Sequence, residues 1–150
     1  TADCPLFDPE ILSSMLVEFE RILSGGSAKI YLSNTRVRTY PRGLDAEIFN
    51  FPALETAYHK AKQDFEREHV TQYMHRHEDE FMLYDFKNNE NYSDYRWTLD
   101  TSEDFNFIEA VYLGLYREGQ IVSTDQVISL LKSRPELCKL NADVEQKKVE

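Results

Sequence analysis

Apolar residues recur at helical spacing early in the chain, where Ile11, Met15, Phe19 and Ile22, with Leu12, Leu16 and Leu23 beside them, form one broad face. Asp8 can accept hydrogen bonds from free amides at a helix start. Pro9 suits the first helical position, because its missing N–H would be unpaired there anyway, and Gly25-Gly26 supply a stop. A helix over 9–23 that packs on a sheet is the expectation. Ile30 and Leu32 alternate as in a strand over 28–35, and a second strand is predicted over 44–51, after the turn-like Tyr40-Pro41-Arg42-Gly43. Asn50 and Pro52 open a helix to about 63. A further helical stretch is read over 64–77, with Phe65, His69, Gln72 and Tyr73 on related faces.

Phe81 to Phe86 reads as a strand, and Lys87-Asn88-Asn89-Glu90-Asn91 as a loop. Arg96 to Leu99 is bulky and β-favouring and ends at Asp100, just before a helix whose Phe105, Ile108, Tyr112, Leu115 and Tyr116 keep a helical period. Ser123 with Gln126 is a capping-box signature for a last short helix carrying Ile128 and Leu131, which Pro135 closes or follows with a turn. The charged tail 141–150 is expected to be mobile. The alternation of helices and strands, with no repeat or linker, predicts one α/β domain.

Composition agrees with a folded domain: 150 residues, 41% of them hydrophobic, with nine Phe and nine Tyr, can supply a sizeable core. A net charge of -10 argues against nucleic-acid or anionic-membrane partners, which would need a basic surface. Cys4 and Cys138 are too few and too far apart for a disulfide framework or a CxxC zinc pair, and two reduced cysteines suit the cytoplasm. The opening TADCPLFDPE lacks the features of a signal peptide, and no apolar stretch approaches membrane-spanning length. Its loop-like start without Met leads us to expect a portion of a longer protein.

Asp3, before the first helix, and Asp100, at a strand end, occupy loop ends of the α/β pattern, where open sheets bind ligands. Two aspartates from separate loops suffice for magnesium, which keeps waters and phosphates at its other positions. Helix capping is the alternative for Asp8, Asp100 and Asp104. Arg36, Arg38 and Arg42, followed by Asp45 and Glu47, form a compact mixed-charge cluster. Guanidinium forks grip carboxylate or phosphate, and acidic side chains can accept from sugar hydroxyls; a solvated strand edge blunted by charge is the alternative. Alternation would place Asp45 and Glu47 on one side of a strand. Glu66, Arg67, Glu68 and His69 suit a helix start, although Arg67 or His69 could face a ligand. His75 and His77 would point apart and complement a helix C-terminus rather than bind metal. No Ser-His-Asp arrangement and no GxGxxG or GxxxxGK[ST] loop is present.

Five strings occur together in order: A-D-C-P-L-F-D-P-E-I at the start, Y-P-R-G-L-D-A-E-I-F at 40–49, R-E-H-V-T at 67–71, R-W-T-L-D-T-S-E-D at 96–104 and L-N-A-D-V-E-Q-K-K at 140–148. On these, nearly the whole chain resembles the cytidylyltransferases of spore-coat polysaccharide biosynthesis, relatives of the enzymes that activate acylneuraminate and 3-deoxy-manno-octulosonate sugars. The resemblance implies a three-layer α/β nucleotidyltransferase fold, Rossmann-like, with a mixed sheet. It implies transfer of CMP from CTP to an acidic or modified sugar, whose oxygen attacks the α-phosphorus as pyrophosphate leaves, with Mg2+ as cofactor and a homodimer as the assembly. Asp3 of the D-x-P motif and Asp100 of the D-T-x-E-D motif would hold the metal. Arg42, Gly43, Asp45 and Glu47 would line the sugar side, with Arg67, His69 and Arg96 as further candidates.

The family pattern normally begins with a strand and a basic, Gly-containing loop that cradles the CTP phosphates, followed by cytosine-binding residues. None of these motifs is in this sequence. The expectation is therefore a C-terminal portion of the domain, incomplete in its nucleotide-binding part and inactive alone. The alternatives are a non-catalytic sugar-binding or assembly module derived from that family and, less favoured, a glycosyltransferase, whose usual Asp-x-Asp triplet is missing.

Overall fold

A computed structural model describes residues 3–26 and 28–145 of the chain. Its elements run α1 (Pro9–Leu23), β1 (Ile30–Ser33), β2 (Glu47–Phe49), α2 (Phe51–Lys60), α3 (Asp64–Glu68), α4 (Gln72–Arg76), β3 (Met82–Asp85), α5 (Ser102–Leu115) and α6 (Thr124–Ser133), then a 3-10 turn over Pro135–Lys139. The three strands form a mixed sheet in the order β2-β1-β3. Tyr31 lies opposite Phe49 in the antiparallel pair and opposite Leu83 in the parallel one.

Every residue of β1 is buried, and their alternation divides the protein into two cores. Ile30 and Leu32 point into a large cluster with Met15 and Phe19 of α1, Phe107 and Val111 of α5, Val127 and Leu131 of α6, and Trp97 from the segment before α5. Tyr31 points the other way, into a smaller cluster with Ala53 and Ala57 of α2, Tyr73 and Met74 of α4, and Phe81. The buried residues that α2 contributes to this cluster are the small alanines Ala53 and Ala57. The result is the expected helix, sheet, helix layering.

Helix α1 begins where the sequence predicts, with Asp8 as its cap: Oδ1 accepts from the Glu10 amide at 3.0 Å. The second oxygen of the same carboxylate accepts from the Thr124 amide at 2.7 Å, so Asp8 ties the starts of α1 and α6 together. Ile11, Met15 and Phe19 are buried as expected, whereas the flanking Leu16 and Leu23 are exposed. The capping box of Ser123 and Gln126 opens α6, and Pro135 opens the final turn.

Several expected elements are shorter or divided. The strand predicted over 44–51 is reduced to Glu47–Phe49, because the Asn34 amide takes the place of ladder partners. Its Nδ2 donates to the Leu44 carbonyl at 2.7 Å and its Oδ1 accepts from the Ala46 amide at 2.9 Å. The helix read over 64–77 is broken into α3 and α4, since His69 takes an extended conformation and ends α3. Arg96 to Leu99 is not a strand but a single parallel bridge between Arg42 and Arg96. Beyond the bridge, Gly43 at φ 102° packs directly on the 97–98 backbone instead of continuing a ladder.

The inward face of α5 agrees with the expectation at Ile108, Tyr112 and Leu115, which pack on the large core, and differs elsewhere. Phe107, Ile108 and Val111 are buried, while Phe105 and Tyr116 are 54% and 51% exposed. In place of Phe105 it is Asp104, the capping-box partner of Thr101, that faces inward, where it meets Arg96. Asn141, where the mobile tail was expected to begin, is buried, and its Nδ2 donates to the Arg96 carbonyl and to Asp104 Oδ1, each at 2.9 Å. The last part of that tail, 146–150, lies outside the described residues.

Candidate active site

Asp3 and Asp100 line one cleft of about 640 Å3, together with Arg42, Gly43, Asp45 and Glu47. The cleft lies where three loop ends meet: the approach to α1, the turn before β2 and the junction before α5. Backbone bonds fix the meeting. The Asp3 carbonyl accepts from the Leu99 amide at 2.8 Å and from Thr98 Oγ1 at 3.1 Å. The Arg42 amide donates to the Tyr95 carbonyl at 2.9 Å, and the Trp97 amide donates to the Arg42 carbonyl at 2.7 Å.

Gly43 has a reason of its own to be glycine. A Cβ there would stand 2.7 Å from the Trp97 carbonyl carbon and 2.8 Å from the Thr98 nitrogen, so the turn approaches the 97–98 backbone more closely than any side chain permits. Trp97 is fully buried beneath this contact and stacks on Tyr95.

Asp100 is not the cap of α5, a role filled by Thr101 with Asp104. Its Oδ2 accepts from Arg96 Nη2 at 2.7 Å, and its side chain is 44% exposed. Arg96 grips Asp104 through two parallel bonds of 2.9 Å, and Asp104 is fully buried. Burial opposes ionisation of Asp104, but hydrogen bonds from Arg96, Asn141 and the Asp100 backbone outweigh it and lower its pKa to about 2. Arg96, a candidate for the sugar side, is thus placed as the link that orients Asp100 against the buried Asp104.

The three arginines of the mixed-charge cluster take different partners. Arg36 pairs with Glu78 and Asp85, and Arg38 binds Asp45 through two bonds of 2.6 and 2.8 Å. Among the described residues no carboxylate pairs with Arg42. Burial, the nearby Arg38 and Arg96 all disfavour its charge, partly offset by Asp45, so its pKa lies below the ordinary arginine value. Magnesium suits hard oxygen donors, and the cleft offers two carboxylates from separate loops; among the described residues no group of three or more His, Cys, Asp or Glu is placed to hold a metal.

His69 lies in a second cavity of about 730 Å3 that shares Asp45 and Glu47 with the first. Arg67 lies elsewhere, beside an apolar hollow against α2, with Nη1 donating to the Ala61 carbonyl at 3.3 Å. Sequence reasoning missed Tyr31, Thr71 and His75, which converge on Glu47. The Tyr31 hydroxyl bonds both Glu47 and His75 Nε2, His75 Nε2 lies 3.1 Å from Glu47 Oε1, and Thr71 Oγ1 donates to Glu47 at 3.1 Å. Burial works against the Glu47 charge, but these donors together hold its pKa below the usual value; burial and the Glu47 charge push the Tyr31 phenol up. His77 points away from His75, stacks on Tyr73 and bonds its carbonyl, as expected of a residue at a helix C-terminus.

No protein-family model matches the chain. It is 31% identical over 140 residues to the spore coat polysaccharide biosynthesis protein SpsF of Bacillus subtilis, an alignment covering 91% of this chain and 54% of the relative. An uncharacterized protein of Methanocaldococcus jannaschii is 34% identical over 109 residues, covering 70% of this chain and 43% of the relative. Among solved structures, a cytidylyltransferase from Leptospira borgpetersenii superposes with a TM-score of 0.83 at 28% identity, covering 97% of this chain and 58% of that one. The chain spans about half the length of the curated relatives it matches. Two core layers about a mixed sheet, the cleft at its loop ends and these similarities agree: the chain belongs to the spore-coat polysaccharide biosynthesis and cytidylyltransferase family.

Proposed function

We propose that the chain forms the sugar-side part of a nucleotidyltransferase that moves CMP from CTP to an acidic or modified sugar for surface polysaccharide synthesis. The observation that carries this reading is the convergence of Asp3 and Asp100 with Arg42, Asp45 and Glu47 on one cleft, in a chain of this family. Asp3 and Asp100 would hold Mg2+, whose chemistry when bound is to neutralise phosphate charge. The chain's own residues supply orientation. Arg96 fixes Asp100, and Arg42, which has no carboxylate partner among the described residues, offers its guanidinium to the sugar's carboxylate or to a phosphate. Asp45, already held by Arg38, and Glu47 accept from sugar hydroxyls.

The test is CTP-dependent pyrophosphate release by the full-length protein with a panel of sugar acids, with and without magnesium. Asp100→Asn should abolish turnover while leaving the melting temperature nearly unchanged. Unchanged rate and magnesium dependence in that variant would refute the assignment. Because no Gly-containing phosphate loop is among its motifs, the 150-residue chain alone is expected to release none. Homodimerisation belongs to the same proposal, and light scattering of the full-length protein checks it.

A further inference from the structure

Glu47 stands on the wall shared by the two cavities, and its surroundings are more elaborate than a strand edge requires. Its side chain is about one-third exposed (31%), yet three donors from three separate elements converge on it: Tyr31 from the middle of β1, Thr71 from the break before α4, and His75 from α4. Thr71, the cap of α4, and His75 stand four residues apart and so reach the same carboxylate from one face.

The protons in this cluster have only one consistent arrangement when Glu47 is ionised. A carboxylate only accepts, so Tyr31 gives its single proton to Glu47 and must itself accept from His75. His75 therefore carries its proton on Nε2, donating toward both Tyr31 and Glu47 Oε1. An ionised carboxylate has about four acceptor positions. Among the described residues, Oε1 receives Tyr31 and His75 and shares the Thr71 proton at 3.2 Å, whereas Oε2 receives only Thr71, at 3.1 Å. One acceptor position therefore remains on an oxygen that is rotationally fixed and reachable from the cavities.

We propose that His75 is a positioning residue for sugar recognition: with Tyr31 and Thr71 it locks Glu47 so that the remaining acceptor position on Oε2 takes a hydroxyl of a polyhydroxylated ligand lying across the two cavities. This rests on the reading of the cleft as a sugar site. A neutral hydroxyl fits Oε2 better than an anion, since that wall carries the Glu47, Glu68 and Asp45 carboxylates and its arginine, Arg38, is already bound to Asp45. Locking matters because a freely rotating glutamate would have to be ordered each time the ligand binds.

Native full-length protein and its His75→Ala, His75→Gln and Thr71→Val variants would be titrated with N-acetylneuraminate, N-acetylglucosamine and glucose, using ligand-observed NMR. Acetate, which has no hydroxyl, serves as the control for Arg42. At least one sugar should bind the native protein about tenfold more tightly than His75→Ala, the factor expected for losing one well-placed hydrogen bond to a charged group. His75→Gln, whose amide can replace the Nε2–H donor, should recover most of that loss, Thr71→Val should show a partial loss, and acetate should bind all four alike. Equal sugar affinity in native and His75→Ala, at unchanged circular dichroism, overturns the proposal. So does the failure of all three sugars to bind the native protein. His75-dependent sugar binding without pyrophosphate release from CTP would keep this inference and sink the proposed transfer; turnover that ignores His75 would do the reverse.

Discussion

Replacing Gly43 with alanine should be among the most damaging single-methyl additions this protein can receive. Two costs add. Gly43 sits at φ 102°, a conformation that side chains rarely adopt, and the penalty is about 1–2 kcal/mol. The new Cβ would also meet three atoms of the 97–98 backbone at 2.7–2.8 Å, and backbone cannot rotate aside as a side-chain tip can. Overpacking of this kind costs about 1–3 kcal/mol. The sum, roughly 2–5 kcal/mol, corresponds to a fall in melting temperature of about 5–20 °C for a chain of this size. Gly119 supplies the control. It has φ 75° but nothing within 4 Å of its Cβ, so Gly119→Ala should show the conformational cost alone. Thermal unfolding followed by circular dichroism measures both. A Gly43→Ala melting point within about 2 °C of Gly119→Ala would refute the claim that close approach, rather than backbone angle, makes this position glycine.

The buried Arg96–Asp104 pair gives a pH signature. The Asp104 pKa lies at about 2 against an ordinary 3.8, so the unfolded chain binds the proton more readily. Its contribution, about 2–3 kcal/mol, is present above pH 4 and is lost as pH falls toward 2. Asp104→Asn should remove that slope from urea-unfolding free energies measured between pH 5 and 2 and cost about 3–5 kcal/mol at neutral pH; a slope equal to the native one would exclude Asp104 as its source. Arg42→Met should behave oppositely, with a melting point equal to or above native but at least tenfold weaker binding of the sugar acid, because it removes a half-buried charge with no carboxylate partner among the described residues. A marked loss of stability without loss of binding would show that Arg42 holds the fold rather than a ligand.

Features governed by neighbours in sequence were legible from the chain. The Asp8-Pro9 start and the 3.6-residue period fix α1, and the Ser123–Gln126 pair fixes the start of α6. Features governed by distant partners were not. That Asp104 rather than Phe105 faces inward at the start of α5 reflects its pairing with Arg96, a charge pair that a count of apolar residues cannot see. Asn34 shortens β2 from ten and twelve residues away, and Asn141 looked like tail because its partners lie 37 and 45 residues back. The candidate site divides in the same way. Motif strings pointed to Asp3, Asp100 and the turn around Arg42, which share the cleft. Tyr31 and His75 carry no local signal, since 44 residues separate them and each alone reads as core or helix end.

The anchoring of Asp3 to Thr98 and Leu99 also bears on how the protein is made. The cleft depends on contacts between residues 95 apart, so closing that loop costs entropy before any local gain, and such long-range contacts slow folding. Asn141 must also reach Arg96 and Asp104 before the Asp100 support is complete. During synthesis α1 and the sheet can therefore gather first, while the two aspartates stay apart until almost the last described residues have left the ribosome. A nascent chain stalled short of Asn141 would carry most of its secondary structure and no finished site.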